Sequence, residues 1–237
     1  INIKKREYYM TKLTINDLGL KEGLLKAVTD LGFTTPSDIQ AEAIPVALKG
    51  QDIIGQAQTG TGKTAAFGLP MLNNITNRKA ISSIILAPTR ELAIQVHDEL
   101  VKLAKYEKLN VVAVYGGAPI HNQIRDIKRA NIVVGTPGRV LDHIRRGTLP
   151  LDSVEFLVLD EADEMLNMGF IDDMEEIMKS IPEERQALLF SATMPAQIKK
   201  LTKKYLKEDS VHIVIARKEL TGSTITQNFF EVNNSER

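Results

Sequence analysis

The sequence predicts an α/β fold with a mostly parallel central sheet of about seven strands and helices on both faces. Three observations carry that prediction. Short β-branched runs alternate with stretches of helical periodicity, the pattern of consecutive βαβ units. The runs are apolar on both faces instead of alternating with polar residues, as a sheet covered on both sides requires. Several of them also end abruptly in small or turn-forming residues, and open α/β sheets bind ligands beyond the carboxyl ends of their strands.

Taken in order, the expected strands are QDIIGQA (51–57), SSIILAP (82–88), VVAVYGG (111–117), NIVVGTP (131–137), VEFLVLD (154–160), ALLFSAT (187–193) and VHIVIA (211–216). Helices are expected between them. Ser37 is placed as an N-cap before DIQAEAIPVAL. The run KTAAFGLPMLNNI opens directly after a glycine-rich turn, and RELAIQVHDELVKLAKY (90–106) sets Leu92, Val96, Leu100 and Leu103 on one face. The strand endings to examine for chemistry are Gly60 and Gly62, Pro88, Gly116 and Gly117, Pro137 and Gly138, Asp160, and Ser191. Beyond the last strand the chain turns polar, and a further strand is expected from Thr226 to Val232. Residues 10–217 therefore read as one domain, and 218–237 as a linker and the start of a second. Residues 1–9 are charged and patternless and read as upstream or vector-derived sequence.

Composition narrows the function classes. At 237 residues the chain can bury roughly 70% of the surface its unfolded form exposes, so no disulfide or structural metal is needed. It has no cysteine, which excludes a disulfide framework, a thiolate nucleophile and a Cys-ligated metal, and is compatible with a cytoplasmic location. His97, His121, His143 and His212 show no ligand spacing and read as solvated or core residues. No apolar run approaches the length of a membrane span or a signal-peptide core. Thirty basic residues balance thirty acidic ones. Any grip on nucleic acid must then come from a local basic patch and backbone donors, not from net charge.

AQTGTGKT (57–64) lies after an apolar strand and before a helix, which is the setting a phosphate-binding loop needs. Gly60 and Gly62 let the backbone curl so that consecutive N–H groups point at a phosphate near a helix N-terminus. Lys63 adds a point charge for the β- and γ-phosphate oxygens, and the Thr64 hydroxyl is placed to ligate Mg²⁺. Ala57 stands where the common form of the motif has glycine. In FLVLDEAD (156–163) an apolar strand ends in adjacent carboxylates, which repel one another unless a cation compensates them. A phosphate-bound Mg²⁺ would do so, with Asp160 holding the metal and Glu161 orienting or deprotonating an attacking water.

These two motifs, with GFTTPSDIQ (32–40), PTRELAIQ (88–95), GG (116–117), TPGR (136–139) and SAT (191–193), resemble in kind and order the DEAD-box family of ATP-dependent RNA helicases. The resemblance covers essentially Leu13 to Val232. It implies a RecA-like P-loop domain, the amino-terminal one of two, with ATP and Mg²⁺ as cofactors and RNA as partner. Gln58, Thr59, Gly60, Thr61, Gly62, Lys63 and Thr64 would hold the nucleotide phosphates, with Lys63, Asp160 and Glu161 catalytic and Thr64 and Asp160 on the metal. By the same resemblance Gln40 would hydrogen-bond the adenine edge, as a Gln amide can, while Phe33 packs on the base and the Thr35 backbone meets N6. Where the family usually has an aromatic residue before DLGL, this chain has Ile15, so stacking on that side is either weakened or supplied by Phe33 alone.

Pro88, Thr89, Arg90, Gly116, Gly117, Thr136, Pro137, Gly138 and Arg139 would face RNA phosphates, and Ser191 and Thr193 would couple to Asp163. The family's second RecA-like domain supplies arginines that stabilise the transition state, worth roughly 10³–10⁵ in rate in other nucleotide hydrolases. No later motif of that kind occurs in this sequence. The expectation is a cytoplasmic monomer with no membrane partner. It would bind ATP and single-stranded RNA and, with the second domain, hydrolyse ATP to unwind short duplexes. An ATP-gated RNA clamp with incidental turnover is the alternative. The choice of RNA over DNA rests on the resemblance, because spacing does not locate contacts to a 2′-hydroxyl.

Overall fold

The computed structural model describes residues 13–216. The strand expected at Thr226 to Val232, the linker before it and residues 1–9 lie outside the described residues. Seven strands form where seven were expected: β1 (Ile53–Gln56), β2 (Ser83–Leu86), β3 (Val111–Val114), β4 (Ile132–Gly135), β5 (Phe156–Leu159), β6 (Gln186–Ser191) and β7 (Val211–Val214). Every pairing is parallel, in the spatial order β3-β4-β2-β5-β6-β1-β7. After β1 the chain passes over two strand positions, later filled by β6 and β5, before laying down β2. All carboxyl ends therefore emerge at one rim, with β6 seated between β1 and β5.

The helices are α1 (Glu22–Asp30), α2 (Asp38–Leu48), α3 (Lys63–Asn74), α4 (Arg90–Leu103), α5 (Ile120–Ile127), α6 (Pro137–Arg145), α7 (Ala162–Asn167), α8 (Ile171–Lys179) and α9 (Ala196–Tyr205), preceded by a 3-10 turn at Ile15–Leu18. They cover both faces of the sheet, and the period-2 geometry of the strands feeds a separate core on each side. Ile85, Val134, Val158, Leu188 and Phe190 enter one core with α2, α3 and α4. Their neighbours Ile84, Leu86, Val133, Leu157 and Leu189 enter the other with α6, α8 and α9. This is why the strands carry apolar residues at consecutive positions: β2, β4, β5 and β6 are buried at every residue. Helix α4 ends at Leu103, three residues short of the expected Tyr106, and buries Ala93, Val96, Leu100 and Leu103.

Polar residues fix the register at the opposite rim. Asp52 is buried, with one carboxylate oxygen accepting from the Ala187 amide at 2.9 Å and the other from the Lys207 amide at 2.9 Å. That clamps the start of β1 to β6 and to the approach to β7. At the functional rim, Gly135 ends β4 opposite Val114 of β3. A Cβ at this position would stand 2.8 Å from the Val114 carbonyl oxygen and 2.5 Å from a Val140 methyl.

Gly135→Ala should therefore destabilise the chain by about 1–3 kcal/mol, the usual range for forcing an extra methyl into a filled site. Urea unfolding at neutral pH measures it; a stability equal to the unaltered chain would mean that β3 and β4 separate there without cost.

Candidate active site

The loop after β1 is shaped by two residues that only glycine suits: Gly60 has φ +80° and Gly62 +88°. Gly62 also caps α3, and a Cβ on it would stand 2.4 Å from the Gln40 side-chain nitrogen. Gln40 is buried on α2 and uses its amide twice. Its Oε1 accepts from the Ser37 amide at 3.0 Å, closing the expected N-cap, and its Nε2 donates to the Gly62 carbonyl at 3.1 Å. The residue assigned to the base thus also tethers the phosphate loop to α2. The Thr61 hydroxyl donates to the Gln58 carbonyl at 2.7 Å, which tightens the turn further.

Lys63 is the first residue of α3 and is only 6% exposed. Its ammonium lies 3.8 Å from an Asp160 oxygen and 3.6 Å from a Glu161 oxygen. Neither distance is a hydrogen bond, and both the Lys63 Nζ and the Asp160 Oδ1 are buried with no hydrogen-bond partner among the described residues. Buried polar atoms in folded proteins are nearly always paired. Two such atoms 3.8 Å apart beside the glycine-shaped loop are what a phosphate and its counter-cation would satisfy. No group of three or more His, Cys, Asp or Glu among the described residues is placed to hold a metal unaided.

Asp160 follows β5 and Glu161 caps α7. Burial pushes the Asp160 carboxyl from 3.8 up to about 6, against the pull of Lys63 and with a further push from Glu161. Glu161 adopts φ +52°, ψ +53°, a left-handed conformation that costs a non-glycine residue of order 1–3 kcal/mol. The Thr59 hydroxyl donates to its Oε1 at 2.9 Å. Thr64 lies partly exposed one residue beyond Lys63.

Asp163 lies in the first turn of α7 and faces the end of β6. Its Oδ2 accepts from the Thr193 amide at 2.9 Å and the Thr193 hydroxyl at 2.7 Å, and its own amide donates to the Ser191 Oγ at 3.1 Å. Burial would raise this carboxyl, but the hydrogen bonds from Thr193 and Ser191 outweigh it and hold it below the usual range. The Gln56 side chain reaches the Ala192 carbonyl at 3.4 Å, so β1, β6 and α7 meet at one point.

The other predicted residues occupy two further places. Phe33 is half-buried against the core beside α2, Thr35 is exposed, and Ile15 is 3% exposed within that core, so it offers no face to a ligand. Thr89, Arg90, Gly116, Gly117, Thr136, Pro137, Gly138 and Arg139 gather along the rim above β2, β3 and β4, with Pro88 buried behind them. Thr89 caps α4, accepting from the Leu92 amide at 3.2 Å, and the Arg90 guanidinium lies 5.0 Å from the centroid of the Tyr115 ring. The guanidinium of Arg139 is turned inward instead, donating to the Ala118 carbonyl at 3.0 Å and to Gln123 Oε1 at 3.2 Å. Gln123 and His143 are structural partners of this rim that sequence reasoning passed over. They lie twenty residues apart, and no local pattern links them.

The DEAD/DEAH box helicase family model matches residues 37–201. The chain is 52% identical over 226 residues to the DEAD-box ATP-dependent RNA helicase CshA of Bacillus cereus, covering 94% of this chain and 43% of that protein. It is 54% identical over 230 residues to the ATP-dependent RNA helicase CshA of Listeria monocytogenes, covering 96% of this chain and 44% of that one. Among solved structures, a DEAD box protein from the hyperthermophile Methanococcus jannaschii superposes with a TM-score of 0.82 at 50% identity, over 85% of this chain and 55% of the other. The chain thus spans less than half the length of these two relatives.

The raised Asp160 pKa has a definite sign. Between about pH 4 and 6 the folded chain binds a proton that the unfolded chain has released, so Asp160's contribution to stability falls as pH rises through that window. Urea unfolding in EDTA without nucleotide should show this slope, on the order of 3 kcal/mol across the window. Asp160→Asn should lack it; an identical pH profile in the variant would show that Asp160 ionises as freely as in water.

Proposed function

The chain belongs to the DEAD/DEAH box helicase family, and from that membership we propose that it is the ATP- and RNA-binding RecA-like half of an ATP-dependent RNA helicase. The observation that carries the nucleotide part is the facing pair of buried, unpartnered atoms, Lys63 Nζ and Asp160 Oδ1, at the mouth of a glycine-shaped loop. In this reading the loop amides from Gln58 to Thr64 and the Lys63 ammonium hold the phosphates. Thr64 and Asp160 hold Mg²⁺, whose chemistry is to neutralise charge on the transferring phosphoryl group. Glu161 orients the attacking water and accepts its proton, and Thr59 holds that carboxylate until the phosphates arrive. Asp163, Ser191 and Thr193 link the carboxylate helix to the end of β6, which gives nucleotide state a direct path to the rim.

Gln40 reads the base. Its bonds to Ser37 and Gly62 use one lone pair and one N–H, and a Gln amide keeps another of each for the adenine edge. With Ile15 in the core, Phe33 packs on the base alone. RNA phosphates lie along the rim of Thr89, Arg90, Gly116, Gly117, Thr136 and Gly138, where exposed amides and one stacked guanidinium supply donors without reading sequence. Residues 10–217 make up this domain. The part of the relatives' length that the chain does not span holds a second RecA-like domain, whose closure over ATP and RNA completes the catalytic site.

Calorimetric titration with Mg·ADP and Mg·GDP tests the base assignment. A bidentate amide contact is worth about 1–3 kcal/mol, so adenine should win by about 5- to 150-fold, and Gln40→Ala should erase the preference. Equal affinity for both nucleotides would remove Gln40 from the base. The isolated chain should bind Mg·ADP yet show almost no RNA-stimulated ATP hydrolysis; robust turnover would sink the requirement for a second domain.

A further inference from the structure

Beneath the rim assigned to RNA lies a buried polar network that the phosphate-facing residues do not explain. Gln123 of α5 is 5% exposed. Its Nε2 donates to the Tyr115 carbonyl at 3.0 Å, and its Oε1 accepts from Arg139 Nη1 at 3.2 Å and from His143 Nε2 at 3.0 Å. The same Arg139 nitrogen donates to the Ala118 carbonyl at 3.0 Å. One carboxamide therefore holds both ends of the segment Tyr115–Ala118, one directly and one through Arg139, and ties that segment to α6.

The network has a single consistent arrangement. Turning the Gln123 amide over would set its NH₂ against the guanidinium and its oxygen against the Tyr115 carbonyl, so those two neighbours fix the orientation. Because Gln123 Oε1 is an acceptor, His143 Nε2 carries the proton and Nδ1 accepts from the Thr148 hydroxyl at 2.9 Å. His143 is fully buried. Burial first, and Arg139 second, hold its pKa below the ordinary value, which keeps the ring in this neutral form. Every polar atom at the centre of the network is satisfied, the condition under which a buried network imposes one geometry.

That geometry continues to the surface. Tyr115 is fixed by its carbonyl, and its ring carries the Arg90 guanidinium at 5.0 Å; Arg90 Nη1 lies 3.6 Å from where a Cβ on Gly117 would be. Arg90, at the start of α4, and Gly116 and Gly117, after β3, follow two strands that are not neighbours in the sheet, and the segment that carries the glycines is bonded at Tyr115 to the buried Gln123. We infer that Gln123, seated on His143, is the positioning residue of the RNA-facing rim, and that Arg139 acts there as an inward brace between the Tyr115–Ala118 segment and α6. The inference rests on the RNA reading of that rim.

The test measures binding of a fluorescein-labelled single-stranded RNA, and of Mg·ADP, to the 237-residue chain and four variants. Gln123→Leu should weaken RNA binding by about 3- to 10-fold, the cost of ordering one or two released groups, and leave Mg·ADP affinity unchanged. Gln123→Glu keeps the acceptor for Arg139 and His143 but sets a carboxylate oxygen against the Tyr115 carbonyl, so it should recover little of the loss; full recovery would remove the direct hold on Tyr115 and overturn the inference. Thr148→Val, which removes only the hydroxyl behind His143, should weaken RNA binding by about 2- to 3-fold with Mg·ADP affinity again unchanged. Arg90→Ala reports on the RNA reading itself. If Arg90→Ala weakens RNA binding and Gln123→Leu does not, the inference is overturned and the reading stands. If Gln123→Leu loses both ligands, the Thr148→Val result decides, and unaltered RNA binding in that variant overturns the inference. No RNA binding by the unaltered chain, or none lost in Arg90→Ala, would remove the reading and the inference together.

Discussion

A buried ammonium facing two buried or half-buried carboxylates, with no hydrogen bond among them, is the constraint around which this domain is arranged. Lys63, Asp160 and Glu161 approach to 3.6–3.8 Å at the mouth of the sheet, close enough for Coulomb attraction and too far for direct pairing. Desolvating such charges is costly, and the attraction repays it only when the remaining polar atoms are satisfied. Here they are not, and the raised Asp160 pKa is one sign of the residual cost. The rest of the fold holds the charges in place despite that cost. β1 and β5 flank the fully buried β6, α3 starts at Lys63 itself, and Glu161 is kept in a left-handed conformation to begin α7.

The strand order turns this local arrangement into a connected one. With β6 between β1 and β5, the segment Ser191–Thr193 emerges between the phosphate loop and the carboxylate pair. Its hydrogen bonds to Asp163, and the reach of Gln56 to Ala192, give the three strand ends a common set of contacts. Gln40 adds a fourth element by holding the Gly62 carbonyl from α2.

The other half of the rim follows a different logic. A chain with equal numbers of acidic and basic residues cannot hold a polyanion by net charge, so in the proposed RNA reading the donors of this rim act by placement and not by abundance. Glycines after β3, helix starts at Thr89 and Thr136, and Arg90 resting on Tyr115 supply them. The fully satisfied network of Gln123, Arg139 and His143 contrasts with the unsatisfied site around Lys63. The buried side-chain atoms of the first have hydrogen-bond partners, whereas Lys63 Nζ and Asp160 Oδ1 of the second have none.

The sequence by itself determined the seven strands, their covering helices and the residues of the phosphate loop and the carboxylate pair. Those signals are local: apolar runs such as SIIL and FLVL can only be buried on both faces, and glycines at 60 and 62 flank Thr61 just ahead of Lys63 and Thr64, a pattern whose meaning lies in contiguous residues. Only the tertiary structure decided that Gln40 grips the phosphate loop, that Ile15 belongs to the core, that Arg139 points inward, and that Gln123 meets a histidine twenty residues away. Side-chain direction at these positions depends on which strands become neighbours, and the order β5-β6-β1 is set by long-range packing of two cores. No periodicity or spacing along the chain carries that information.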